Sequence, residues 1–307
     1  MLLHRQRAFS LAEGETNLSE GDYRFLQRFL DVTKANLFFA RGVIVVEGDG
    51  ESILLPTLAR FLGRDLTEHG VSVVNVGGTG LRRYARILQR RDATKGVFVI
   101  PTACLADMDV MPDCAPAILD LVASDADPIW ASPRRKWRVK KEFGATAAEQ
   151  LVGLAAKRAK LCVGDAQNVK TFVADEWTLE YDLAFAGLAE EVYIAAMIAA
   201  NDDPLNDDKK KRDAVEVDAQ AAYQALVTLA AGSHDVLCSH VYEMFSSKRA
   251  SKAIAAQYLA ELLTDRKAKG EIDAAWLTAR LPNYIKEAVA YATMPPQPTV
   301  VAAGASA

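Results

Sequence analysis

Cysteine and histidine are scarce, with four of each in 307 residues. Cys104, Cys114, Cys162 and Cys238 lie far apart, with no C-x-x-C interval. That spacing excludes a zinc ribbon and a disulfide framework and fits a reducing cytoplasm. His4, His69, His234 and His240 form no ligand spacing either. No G-x-x-x-x-G-K-[ST] stretch occurs, so the chain carries no recognisable ATP phosphate loop, and no G-x-G-x-x-G is followed by an acidic ribose partner. Positive charge is not in excess: the net charge is −4, so any nucleic-acid contact must come from local patches. A signal peptide is not apparent, because Met1-Leu2-Leu3 runs at once into His4, Arg5 and Arg7. The most apolar window, residues 183–200, contains Glu190 and Glu191 and reads as a buried helix, with no membrane as partner. No internal repeat is visible.

What remains is an ordinary globular composition, half hydrophobic and a quarter charged. The length suffices for one large or two modest cores. Residues 1–40 read as a polar, helical lead-in, with apolar Phe25, Leu26, Phe29, Leu30 and Val32 at helical period. Alternation follows: a strand at 43–46, a helix at 52–62 closed by Gly63, a strand at 71–76, a helix at 81–89, and a strand from about Thr102 to Ala106. Pro101 sets the start of that last strand, because it lacks an N–H donor. Strands alternating with helices predict a parallel α/β sheet with right-handed crossovers.

The alternation breaks into an insertion at about 114–165, in which Thr146 and Glu149 make a capping box opening a helix to about Lys160. A fourth strand follows at 170–174. The sheet domain is thus expected over 41–182. A mostly helical second domain is expected over 183–292, with helices at 183–200, 214–231, 250–263 and 274–291. Residues 202–212 read as a charged linker and 293–307, rich in Pro and Ala, as a disordered tail.

Acidic residues stand where the strands run out. Glu47 follows the first strand and Glu51 lies four on. Glu51 either comes round towards the strand end as a second oxygen ligand or charges the first helical turn. Asp107 and Asp109 follow the third strand. In an extended segment they project from one side while Met108 turns inward, an arrangement suited to a hard cation, although Asp-rich turns are common. Glu176 and Glu180 form an i, i+4 pair after the fourth strand, either extra ligands or solvated acids of a helical turn. Gly77-Gly78-Thr79-Gly80 opens a helix, and its amides can approach a phosphate closely. Arg134, Arg135, Lys136, Arg138, Lys140 and Lys141 interleave with Trp130, Trp137 and Phe143, which reads either as a nucleic-acid footprint or as a solvated loop. Lys248, Arg249 and Lys252 open a helix against its dipole, a mild penalty that a lysine aimed at an anionic transition state would explain.

The strings LFFARGVIVVEGDGE, VVNVGGTG and ACLADMDVMPD together resemble the Toprim domain of the OLD (overcoming lysogenization defect) nucleases. FVADEWTLEYDLA and SKAIAAQYLAELL resemble that family's C-terminal region, closest to its stand-alone class 2 members. The resemblance implies a Toprim-type sheet and a Mg²⁺ or Mn²⁺ site with two ions, held by Glu47, Glu51, Asp107, Asp109, Glu176 and Glu180. It also implies a lysine, Lys252, near the scissile phosphate, and Glu47 and Asp107 among the catalytic groups. The implied activity is DNA endonuclease. Family members usually begin with an ABC-type ATPase domain, so the chain is expected to be a catalytic fragment, with ATP control and much of any homodimer contact lying elsewhere. Two other readings stay open: a different Toprim chemistry (topoisomerase, with Tyr84, Tyr181, Tyr242 or Tyr258 as nucleophile, or primase), and a nucleic-acid-binding module that does not cut.

Overall fold

The computed structural model describes residues 2–4, 7–31, 33–78, 80–203 and 209–295. The expected tail beyond 295 and part of the charged linker, 204–208, lie outside the described residues. The lead-in is less helical than its period suggested. It begins with a hairpin, β1 (Leu2–His4) against β2 (Arg7–Phe9), before α1 (Glu20–Phe29) and a short 3₁₀ turn at Lys34–Phe38.

The sheet has four parallel strands: β3 (Gly42–Val46), β4 (Val71–Asn75), β5 (Thr102–Ala106) and β6 (Val169–Val173), in spatial order β4-β3-β5-β6. Every residue of β3 and of β5 is buried, as a central parallel strand requires. The period-two alternation divides β3 between two cores. Val43 and Val45 face α1, α3 (Leu81–Ile87) and the hairpin; Ile44 and Val46 face α2 (Asp49–Phe61) and the C-terminal helices.

The insertion carries α4 (Ala115–Ile118) and α5 (Ala147–Leu161). Thr146 Oγ1 accepts the Glu149 amide and Glu149 the Thr146 amide, so the expected capping box is present. The remaining elements are α6 (Leu179–Leu183), α7 (Ala189–Ala200), α8 (Lys209–Leu229), α9 (His234–Ser246), α10 (Lys252–Ala268), α11 (Ala274–Ala279) and α12 (Asn283–Ala292).

Two expected continuous helices are broken. The expected 183–200 helix begins earlier, at Leu179, and bends at Gly187, whose φ of +122° lies outside helical space. By length and composition Leu179–Ala200 could span a membrane, yet most of it is buried against the rest of the chain, and Glu191 is paired to Arg266 at 2.7 Å. The run from 274 to 291 breaks before Asn283, where Pro282 cannot donate to the preceding turn. The two breaks meet: a Cβ on Gly187 would come within 3.0 Å of Arg280 Cγ. The expected 250–263 helix runs from Lys252 to Ala268, and α9 was not anticipated at all.

These helices do not enclose a core of their own. α10 packs on both α2 and α7, α12 lies across β3, β5 and β6, and all share one continuous apolar cluster with the sheet. The closest approach is at Gly42, where an added Cβ would sit 2.0 Å from the Ala292 carbonyl oxygen. Gly42→Ala is therefore expected to lower stability by about 1–3 kcal/mol, read by urea denaturation. An unchanged midpoint would contradict this packing of α12 on β3.

Candidate metal centre

The strand order decides where the site lies. The chain leaves β3 for β4 on one side and returns through β5 on the other, so the order reverses between β3 and β5. Ligands in open α/β sheets bind at such a switch point, beyond the carboxyl ends of the strands. Glu47 is the first residue after β3 and Asp107 the first after β5. The register Val45↔Cys104 sets the two strand ends side by side.

α2 begins promptly at Asp49, with Gly48 as its extended N-cap. Glu51 therefore falls in the first turn: its carboxylate takes backbone hydrogen bonds at the helix start and also lines the cleft. A cavity of about 390 Å³ is bounded by Glu47, Asp49, Glu51, Asp107, Glu180 and Lys252. Asp49, which sequence reasoning passed over, sits exposed at its rim and accepts from Asn75 Nδ2 at 2.6 Å. Its position inside the string EGDGE was the available signal.

Burial, first of all, drives three of these acids up from the ordinary carboxylate range. For Asp107 the charges of Glu180 and Glu51 add to it, and the shift is large. For Glu47 the neighbours are Asp109 and Glu51. Burial also prevails at Glu51, where Glu180 adds to the rise against the backbone hydrogen bonds that favour the charge. Lys252 is the counterweight. It opens α10 behind the Ser251 cap and donates from Nζ to Glu180 Oε2 at 2.8 Å. Thr178 Oγ1 donates to the same oxygen at 3.3 Å. Burial works against the ammonium, but Glu180, Tyr242 and Asp107 outweigh it and hold Lys252 above the usual lysine range. The ammonium also lies 5.3 Å from the centre of the Tyr242 ring, supplied by the unanticipated α9. Below the cleft Tyr284 is held protonated, by burial foremost and then by Asp182, Asp107, Glu51 and Glu180.

Other expected members are not in this cavity. The chain does not stay extended past Ala106. The Met108 and Asp109 amides both donate to the Trp177 carbonyl, and Asp109 takes a left-handed φ of 53°. Met108 turns into the core as expected, but Asp109 lies exposed outside the cavity, close enough to act on Glu47 by its charge. Glu176 is held 2.5 Å from Lys140 Nζ and lines a different cleft, under α5. The Glu176 and Trp177 amides are instead capped by Asp182, a buried carboxyl raised to about 7 by burial, against those same amide bonds.

The Gly78 amide donates to the Glu47 carbonyl at 2.7 Å, and the Gly77 amide to Asn75 Oδ1. The Gly77 and Gly78 amides are thus taken within the turn and pin the site's backbone. Thr79 lies outside the described residues, while Gly80 borders the neighbouring cleft.

Four of the six basic residues in the run are ion-paired. Arg135 stacks on Trp137 at 4.5 Å and pairs with Glu142, which also accepts from Arg138 at 3.1 Å. Burial raises Glu142, but these partners prevail and hold it down at about 2. Lys140 is taken by Glu176 and Lys141 by Asp125. Arg134 and Lys136 stay exposed, in no ion pair among the described residues. Arg135, Arg138, Lys140 and Lys141 are thus held in ion pairs within the insertion and to Glu176 beyond it.

The family model described as "Overcoming lysogenization defect protein-like, TOPRIM domain" matches residues 38–109, the stretch that contains β3, α2, β4, α3 and β5 with Glu47, Glu51 and Asp107. Residues 38–109 are thus similar to the Toprim domain of OLD-like proteins. A search of curated proteins returns no match. Among solved structures, the C-terminal region of the Xanthomonas campestris pv. campestris OLD protein aligns at 23% identity over 84% of this chain and 94% of its own, with a TM-score of 0.42. The C-terminal region of the Burkholderia pseudomallei OLD protein aligns at 24% identity over 83% and 98%, also with a TM-score of 0.42.

Toprim domains generally take divalent cations, and the donor set here suits one: the lining acids are hard oxygen donors, as Mg²⁺ and Mn²⁺ prefer. Among the described residues no three acidic, imidazole or thiol groups are drawn together as a ready ion cage. Instead, Lys252 supplies the positive charge that Glu180 needs.

The raised acids carry a pH consequence. A carboxyl whose folded pKa lies above its unfolded value adds stability below the unfolded pKa and loses it as pH rises through the folded one. Asp107→Asn is expected to match the metal-free wild type below about pH 4 and to become progressively more stable above it, by about 1 kcal/mol or more near pH 8. Urea unfolding in EDTA across that range is the measurement, and a variant that loses stability at high pH would contradict the repulsion.

Proposed function

We propose that the chain is a metal-dependent DNA endonuclease. The observation that supports it most is the meeting of Glu47, Glu51, Asp107 and Glu180 with Lys252 in one cavity at the sheet's switch point. The Toprim match is in keeping with a nuclease-type activity, and the finer assignment is ours. Glu47, Glu51, Asp107 and Glu180 would hold Mg²⁺ or Mn²⁺, and Asp109, beside Glu47, is a reserve ligand. Bound in a pair, such ions supply Lewis-acid polarisation of a phosphodiester and a water nucleophilic at neutral pH. Lys252, half-exposed and held charged, would neutralise negative charge building on the phosphate.

A covalent tyrosine mechanism has less support. Tyr84 and Tyr181 are almost wholly buried, donating to the Phe29 carbonyl and to Asp235, and Tyr258 donates to Asp202. Tyr242 alone of the four touches the site, and burial, foremost, keeps its hydroxyl protonated. A separate ATP-hydrolysing domain, a second copy of the chain and a cytoplasmic setting belong to the same proposal, as does the class 2 affiliation.

The test is nicking of supercoiled plasmid. Wild-type protein is expected to nick with Mg²⁺ or Mn²⁺ and to stop with EDTA. Asp107→Asn should abolish nicking, and Lys252→Met should slow it by about 10²–10³-fold, the usual loss when one transition-state charge partner is removed. Cleavage that survives both EDTA and Asp107→Asn would overturn the reading. A covalent protein–DNA adduct would turn it towards a topoisomerase.

A further inference from the structure

The acidic cavity has a neighbour of opposite character. Glu47 also borders a second cleft of about 480 Å³, lined by Arg82, Arg83 and Arg86 of α3, by Gly80 and by Asp22 of α1. One carboxylate organises two of the guanidiniums: Asp22 accepts from Arg86 at 2.9 Å and pairs with Arg83 at 3.2 Å. Asp22 is buried, with its side chain only 5% exposed, whereas Arg83 and Arg86 keep 42% and 38% of theirs open to solvent. Phe25 supports the Arg83 guanidinium from 4.2 Å. Arg82 donates to the Lys160 and Leu161 carbonyls at 2.9 and 2.7 Å and makes no ion pair among the described residues. Three cations thus face two carboxylates, one of them Glu47 at the shared border. The run at 134–141 pairs Arg135 and Arg138 with Glu142, Lys140 with Glu176 and Lys141 with Asp125.

From this we infer that the Arg82–Arg83–Arg86 cleft binds the phosphate backbone of the DNA strand flanking the bond to be cut. The inference rests on the nuclease reading for the polymer's identity; the cleft's charge stands without it. Guanidiniums fixed in orientation by a buried carboxylate and a ring lose little freedom on gripping a phosphate, and their planar forks suit its oxygens. Arg83 and Arg86 grip the strand, Arg82 adds its field, and Glu47 marks where backbone binding gives way to chemistry.

Fluorescence anisotropy of a labelled DNA duplex, titrated at several salt concentrations with Ca²⁺ present to screen the acidic cavity, tests this. The double variant Arg83→Gln/Arg86→Gln is expected to bind about tenfold more weakly, with a log Kd against log salt slope shallower by about 1–2, as for the loss of up to two phosphate contacts. Arg83→Lys/Arg86→Lys should restore the slope. Thermal melting of each variant separates this from misfolding. A folded glutamine variant with wild-type affinity and slope would overturn the inference, as would wild-type protein that binds no DNA.

Nicking assays on the same samples keep the two proposals apart. Wild type that binds through these arginines but never nicks removes the nuclease and leaves the cleft. Wild type that nicks while the glutamine variant binds and nicks unchanged removes the cleft alone.

Discussion

Mutual repulsion among carboxylates at the switch point is the constraint around which this molecule is arranged. Glu47 and Asp107 stand at adjacent strand ends because β3 and β5 are hydrogen-bonded neighbours, and Glu51 and Glu180 are brought in by the helices that follow β3 and β6. Burial makes their charges expensive and proximity makes them mutually unfavourable. The fold answers with Lys252, delivered by a helix that packs on α2 and α7 and not by any element of the sheet. The C-terminal helices thereby become part of the site. They bury one face of the sheet, seat the tyrosines around the acids and bring in the ammonium that Glu180 needs.

Charge elsewhere follows the same logic with a different outcome. The basic, aromatic insertion closes on itself, since Glu142 joins Arg135 to Arg138 and the tryptophans take up the guanidinium face. Its net effect is local order beside the sheet. On the other side of Glu47, α3 keeps its arginines at the surface around a single buried carboxylate, so positive charge survives where it borders the acidic cavity. Positive and negative clefts meeting at one residue suit a polymer of phosphates better than a small neutral ligand, for which such fields would offer little.

Much of the sheet was legible from the chain alone. All four parallel strands were anticipated to within a residue or so at each end, because short apolar runs alternating with helical segments have few other solutions. The capping box of α5 was legible for the same local reason. Errors gathered where the outcome depends on distant partners. The N-terminal hairpin hides in a polar segment, α9 lacked a clean period, and the expected 274–291 helix ignored Pro282. Among site residues, Glu47, Glu51, Asp107, Glu180 and Lys252 converge. Asp109 turned away on a left-handed backbone and Glu176 went to Lys140. Spacing of two or four could not foresee either, since a hydrogen bond to Trp177 and an ion pair from the insertion redirected them.

By itself the chain determined the local things: which segments are strands, that acids follow them, and that no nucleotide loop, zinc framework or excess of positive charge is present. These are properties of neighbours in sequence, set by backbone sterics, burial and short-range hydrogen bonding. Tertiary structure decided which acids share a cavity, that a lysine more than 70 residues beyond Glu180 neutralises it, and which acids each basic cluster meets. Electrostatic interaction depends on distance and burial in space, and neither is written in the spacing of a sequence.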